Sequence, residues 1–223
     1  MDRSVARLGA GAAMVGAVLA IVFNLLYPRA EDPGSAGEIV SLSQSEGMWA
    51  FTHYALAWAV ALTFIGIIVI SRSFMGEPAT SWGRLGLIHA IGGALSLFLA
   101  LVILGFGVPE AAEAGTGGTA EAASYVAGSL FLGSIGLFFG FTPLLLGAAV
   151  LSGNEYPSWL GWLAVVAGAL GVITGTIIYF GGFSDTTDKL LFPITSLAFT
   201  VWVGVMGYNL WQKTTPSPTT VGG

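Results

Sequence analysis

Two imidazoles lie within the long apolar runs of this chain, His53 and His89, and what they can do is bounded by what surrounds them. The sequence holds no cysteine, so disulfides, thiolate nucleophiles, cysteine zinc sites and iron–sulfur clusters are excluded together. No Asp, Glu, Lys or Arg interrupts the runs that carry the histidines. A nucleophile, base and orienting group therefore cannot be assembled on either imidazole, which argues against hydrolysis and against an enzyme. The same gap leaves a metal ion without a third ligand. It also weakens a small-solute transporter reading, because coupled transport places ionisable groups near the membrane midplane. Haem ligation and hydrogen bonding between helices remain.

The elements that must position these residues are set by composition. Of 223 residues, 55% are apolar and 9% charged, against about 25% charged in a soluble domain. Six charge-free runs, 8–28, 47–71, 85–109, 122–154, 156–184 and 190–212, each reach the roughly 20 residues that cross a hydrocarbon core. They are apolar on every side, which excludes the alternating strands of an outer-membrane barrel. The first run is longer than the apolar region of about 7 to 15 residues in a signal peptide, so it reads as an uncleaved span. With the amino terminus inside, Arg3, Arg7, Arg72, Arg84 and Lys213 lie inside and Arg29 and Lys189 outside. This bias supports both termini in the cytoplasm and a multi-pass cell-membrane protein. Nine acidic residues fall on the outer side. The net charge of −5 leaves no basic stripe for nucleic acid, and no phosphate-loop motif is present.

Depth then limits the haem reading. His53 lies six residues inward from the outer boundary of its run, and His89 five residues beyond Arg84 on the inner side. At 1.5 Å per residue their levels differ by roughly 13 to 15 Å. One iron held by two imidazoles needs both at nearly one level, so the pair is a poor haem clamp. No cofactor is expected; a single b-type haem on one histidine is the alternative.

At the level of His53 the sequence gathers Asn24 and Tyr27, Tyr54, Tyr179, and Thr195 and Ser196. Together they read as a polar pocket near the outer face that takes a small molecule, a lipid or a partner helix. The competing reading is interhelical glue, contributing about 0.6 kcal/mol per hydrogen bond. His89 shares a helix face with Gly93, Ser96 and Ala100, so it reads as a structural histidine facing packed protein, with Thr142 and Asn209 as partners. Gly9, Ala13, Gly16 and Ala20 form a seam of small residues ending at Asn24, and Gly136-x-x-x-Gly140 is the strongest close-packing motif.

The remaining signals concern shape. Ser35-x-x-Glu38 before Ile39 and Val40 is a capping box that opens a short outer amphipathic helix, placed to act as a lid. A mobile loop is expected from Glu110 to Gly118, with Thr119 as the next N-cap. Pro143 predicts a kink. Trp49 and Tyr54 read as part of an interfacial aromatic belt, and Trp58 and Trp202 as buried packing residues.

The Asn24-x-x-Tyr27-Pro28-Arg29 end of the first run, the start of the second from Trp49 to His53, and Pro157-Ser158-Trp159-Leu160-Gly161-Trp162 resemble uncharacterised multi-span membrane families of bacteria and archaea. That resemblance implies a six-helix fold and no assigned chemistry. The expected architecture is all-α: a polytopic six-helix transmembrane bundle in one domain, 1–213. Its spans are 8–28, 48–71, 83–108, 122–151, 158–182 and 190–211, and a disordered tail follows at 214–223.

Overall fold

A computed structural model describes residues 1–215, and the chain folds as an all-helical bundle. Six helices are long and apolar enough to cross a membrane: α1 (Arg3–Leu25), α3 (Trp49–Ser71), α4 (Ala79–Glu113), α5 (Gly117–Ser152), α6 (Ser158–Gly181) and α7 (Thr187–Thr214). A short helix, α2 (Ala36–Ser45), lies between α1 and α3. Large apolar side chains such as Leu8, Val18, Ile88 and Val166 cover the outside of the bundle. Water would penalise such a surface, whereas a bilayer accepts it, and in lipid only a helix or a closed barrel satisfies its own backbone.

The start of α1 and the end of α7 lie at one end of the bundle. There the Arg7 guanidinium sits 5.3 Å from the Trp211 ring, and the Lys213 ammonium 3.7 Å from that of Tyr156. Tyr156 shares a 2.6 Å hydrogen bond with Ser73. This is the end that the Lys and Arg distribution assigns to the cytoplasm, and the opposite end is termed outer.

Lipid-facing helices gain little from hydrophobicity and associate where small residues let backbones approach. The seam on α1 does this against α3. A Cβ on Gly16 would lie 2.7 Å from the Thr63 amide nitrogen, and one on Gly66 would lie 2.7 Å from the Ala13 Cα. On the other side of α1, a Cβ at Gly207 of α7 would lie 2.8 Å from the Ala13 Cβ and 2.9 Å from the Ala10 carbonyl oxygen. Gly140 approaches Val172 of α6 in the same way, but a Cβ at Gly136 would meet open space. The Gly136-x-x-x-Gly140 motif is therefore not the closest contact. It lies in the π-helical segment Ile135–Phe141.

Three prolines organise the helices in one way. Segments Ile103–Gly107, Ile135–Phe141 and Thr187–Leu191 widen to π turns, closed by i to i−5 bonds from Val108, Thr142 and Phe192 to the carbonyls of Ile103, Leu137 and Thr187. The next residue is in each case proline: Pro109, Pro143 and Pro193. Proline has no N–H, so the next carbonyl in that register, Leu104, Phe138 or Asp188, loses its donor. The kink expected at Pro143 is thus one of three such adjustments.

Other expectations are corrected locally. Glu110 to Gly118 is not a long loop: α4 continues through Pro109 to Glu113, and the turn is confined to residues 114–116. Gly115, at φ 71°, supplies its left-handed residue. Thr119 lies inside α5, preceded by Thr116 at the cap position. Trp202 is buried as expected, but Trp58 is 53% exposed and faces lipid, while Trp49 is 2% exposed and belongs to the core rather than the belt. Of the tail, Thr214 ends α7 and Thr215 follows it; residues 216–223 lie outside the described residues.

Candidate functional site

The outer ends of α3 and α4 and the chain leaving α1 converge on His53. Trp49 and His53 lie one turn apart on α3, so their side chains stack, with ring centres 4.4 Å apart. They press on the π turn of α4. There Gly105 leaves no room for a Cβ, which would lie 2.6 Å from that of His53. The Trp49 indole N–H donates to the Leu104 carbonyl at 2.7 Å, the acceptor that Pro109 cannot engage. A missing backbone donor in one helix is thereby replaced by a side chain of its neighbour.

The hydrogen bonds fix the imidazole. His53 is fully buried, and its Nδ1 lies 2.8 Å from the Trp49 carbonyl oxygen. That oxygen only accepts, so Nδ1 carries the proton and Nε2 of the neutral ring is left as an acceptor. The Tyr27 hydroxyl, 3.2 Å away, donates to Nε2. Burial pushes the Tyr27 phenol above its ordinary range; Asp188 adds to that shift and Arg29 opposes it, so the donor keeps its proton.

Arg29 completes the outer end. Its Nη1 donates to the Asp188 carbonyl at 3.2 Å, the oxygen that Pro193 leaves without a donor, and its Nη2 reaches Asn24 Oδ1 at 3.5 Å. Among the described residues the one ion pair within 4 Å joins Lys189 to Asp185. Arg29 is therefore bonded to neutral oxygens and has no carboxylate contact.

Beneath this cluster is a cavity of 380 Å³. It falls within the range of roughly 300 to 1,000 Å³ typical of small-molecule sites. Its wall is almost entirely apolar: Leu56, Val60, Leu101, Phe138 and Phe199 line its length. Asn24, Tyr27, Arg29 and Asp188 gather at its outer end, and Thr63 and Thr200 mark its inner reach. Trp49 and Thr63, both on the wall, are 14 residues apart on α3. The cavity is therefore about 21 Å long in a core about 30 Å thick.

Helix α2 covers it with Ile39 and Leu42. Ser35 caps α2 by accepting from the Glu38 amide at 3.3 Å. The second half of the capping box is replaced: the Glu38 carboxylate accepts from the Glu31 and Asp32 amides. It therefore ties the lid to the strand of chain leaving α1 rather than to its own cap.

The residues singled out in the sequence divide accordingly. His53 and Tyr27 bond to each other, and Asn24, Tyr27 and Ser196 line the cavity. Thr195 is buried on another face of α7, 3.3 Å from Thr174 Oγ1. Tyr54 points outward against Trp58 and Phe106, and Tyr179 is 71% exposed beside Phe180. His89 is half-buried rather than enclosed. Its Nδ1 lies 2.9 Å from the Leu85 carbonyl oxygen and its ring packs on Phe141. The partners expected for it are engaged elsewhere: the Thr142 hydroxyl donates to Leu137 and the Asn209 amide to Val205. Sequence reading missed Arg29, Trp49 and Asp188 as site residues. The available signals were Arg29 two residues after Tyr27, Trp49 one helical turn before His53, and prolines five residues after Leu104 and Asp188.

No group of three or more His, Asp or Glu among the described residues is placed to hold a metal ion. No family model, curated protein or solved structure matches the chain.

Proposed function

We propose that this membrane protein binds an apolar or amphipathic small molecule between α1, α3, α4, α5 and α7, without transforming it. The observation that carries this reading is the cavity itself: an apolar slot of 380 Å³ with its polar groups collected at one end, under a helix capped by Ser35 and tied by Glu38 to the chain leaving α1. A few placed polar groups on a largely apolar wall are what a small-molecule site requires. His53 supports the site from behind, orienting the Tyr27 hydroxyl and bracing Trp49. No carboxylate hydrogen-bonds to its ring, and both ring nitrogens are committed to protein partners. Those commitments favour binding over acid–base catalysis or haem ligation at His53.

Thermal unfolding in mild detergent tests the proposal, with monoolein as a neutral amphiphilic probe. A ligand at a hundred times its Kd stabilises the folded state by about 2.7 kcal/mol. Val60→Trp and Ala59→Phe, which fill the slot, should remove that stabilisation and leave folding intact. A probe shift retained in both folded variants contradicts the reading.

A further inference from the structure

Between α1 and α7 the cavity wall faces lipid. In the inner half α1 and α7 are closed on each other: a Cβ at Gly204 would lie 3.2 Å from that of Ala17, and Gly207 is tighter. One to two turns further out both helices become cavity wall, α1 through Ile21 and Leu25, α7 through Ser196 and Leu197. Leu25 is 80% exposed and Leu197 49% exposed, so each lines the cavity and faces lipid at once. Leu197 is seven residues inside the apolar run that begins at Leu190, about 10 Å along the helix and within the hydrocarbon layer. A molecule dissolved in the outer leaflet can enter there without crossing water.

The outer end of the slot carries one residue of each charge, Arg29 and Asp188. Arg29 commits two of its five donors, both to uncharged oxygens, and the rest of its planar fork matches a phosphate. Asp188, together with Glu31 and Asp32 two and three residues beyond Arg29, makes the rim acidic. Lys189, the other cation there, is paired with Asp185. A purely anionic head would gain at Arg29 and be repelled by its neighbours; a head that also carries an ammonium group meets both signs.

We propose that the occupant is a zwitterionic phospholipid-type amphiphile that enters from the outer leaflet between α1 and α7. Its phosphate lies at Arg29, its ammonium toward Asp188, and a hydrocarbon chain fills the slot toward Thr63. This rests on the cavity reading above and assigns its ligand class.

Four probes separate the contributions in the full chain in detergent: an oleoyl lysophosphatidylethanolamine, the corresponding lysophosphatidic acid, monoolein, and glycerophosphoethanolamine without a chain. The zwitterion should bind tightest and the chainless head not at all. Arg29→Gln should weaken both lysolipids about tenfold, bringing the lysophosphatidic acid to the level of monoolein, and Arg29→Lys should restore part of that loss. Asp188→Asn should weaken the zwitterion and leave the lysophosphatidic acid equal or tighter. Leu197→Trp should slow transfer of the zwitterion from donor vesicles about tenfold while changing equilibrium affinity less. Equal binding of zwitterion and monoolein, or no effect of Asp188→Asn, overturns the head-group assignment. Unchanged transfer in Leu197→Trp overturns the lateral route. If those results appear while Val60→Trp still abolishes monoolein binding, the cavity reading stands and only the ligand class falls. Binding that survives Val60→Trp removes both.

Discussion

The inner and outer halves of the α1 seam are built from the same kinds of residue and end in opposite states. From Gly9 to Gly16 the seam is closed, with Val69, Gly66 and Thr63 of α3 against its glycines and alanines. At Ala20 and Asn24 the same face of α1 lines an open slot. The difference lies in the partners. Inside, the neighbours on α7 are Gly204 and Gly207; outside they are Ser196 and Thr200, which follow the widened turn Thr187–Leu191 and Pro193. In lipid no hydrophobic force closes a gap between helices, because acyl tails are as apolar as leucine. A space left by helix geometry therefore persists until something of the right shape occupies it.

This comparison can be broken by adding bulk on either side of it. The largest effect is expected at Gly207→Val, whose new Cβ meets the α1 backbone and should destabilise the bundle by about 3 kcal/mol. Unfolding by titration with a denaturing detergent would measure it. Trp49→Phe keeps the ring but leaves the Leu104 carbonyl without its indole donor. A loss of about 1 to 3 kcal/mol is expected in the same assay. Val60→Phe adds bulk as Gly207→Val does, yet into the slot. It should raise the ligand-free melting temperature, by a stabilisation of about 1 kcal/mol. A loss at Val60 as large as that at Gly207 would show that the outer half is packed as tightly as the inner.

The smallest effect sharpens a second contrast. His53 and His89 make the same local bond, Nδ1 to the carbonyl four residues back, but only His53 has a partner outside its own helix, Tyr27, at Nε2. His89→Phe should change stability by no more than about 0.5 kcal/mol. His53→Phe, which leaves the Tyr27 hydroxyl buried without its acceptor, should cost about 1 to 3 kcal/mol. Equal losses would mean that the Tyr27 bond contributes nothing.

The spans were legible because bilayer thickness sets run length, and the Gly9-Ala13-Gly16 seam because small residues must recur at helical spacing to admit a neighbour. Tyr27 beside His53 was legible for a related reason, since the chain fixes both at one depth. Direction around the helix was not. Tyr54 follows His53 directly and is carried about 100° away from it, out to lipid, and apolar runs have no polar face to reveal that rotation. Arg29 was read as a topology marker because its acceptor, the Asp188 carbonyl, becomes available only through the π turn before Pro193. No side-chain pattern announces a freed carbonyl.

The central claim is that the space between Arg29 and Thr63 is a site and not slack packing. An experimental density map of the full chain, extracted from its membrane in mild detergent, tests this most directly. The account expects continuous non-protein density along the slot, headed at Arg29 and absent from Val60→Trp. Collapsed helices with Leu56, Val60 and Phe199 in mutual contact, and no density between them, would contradict it.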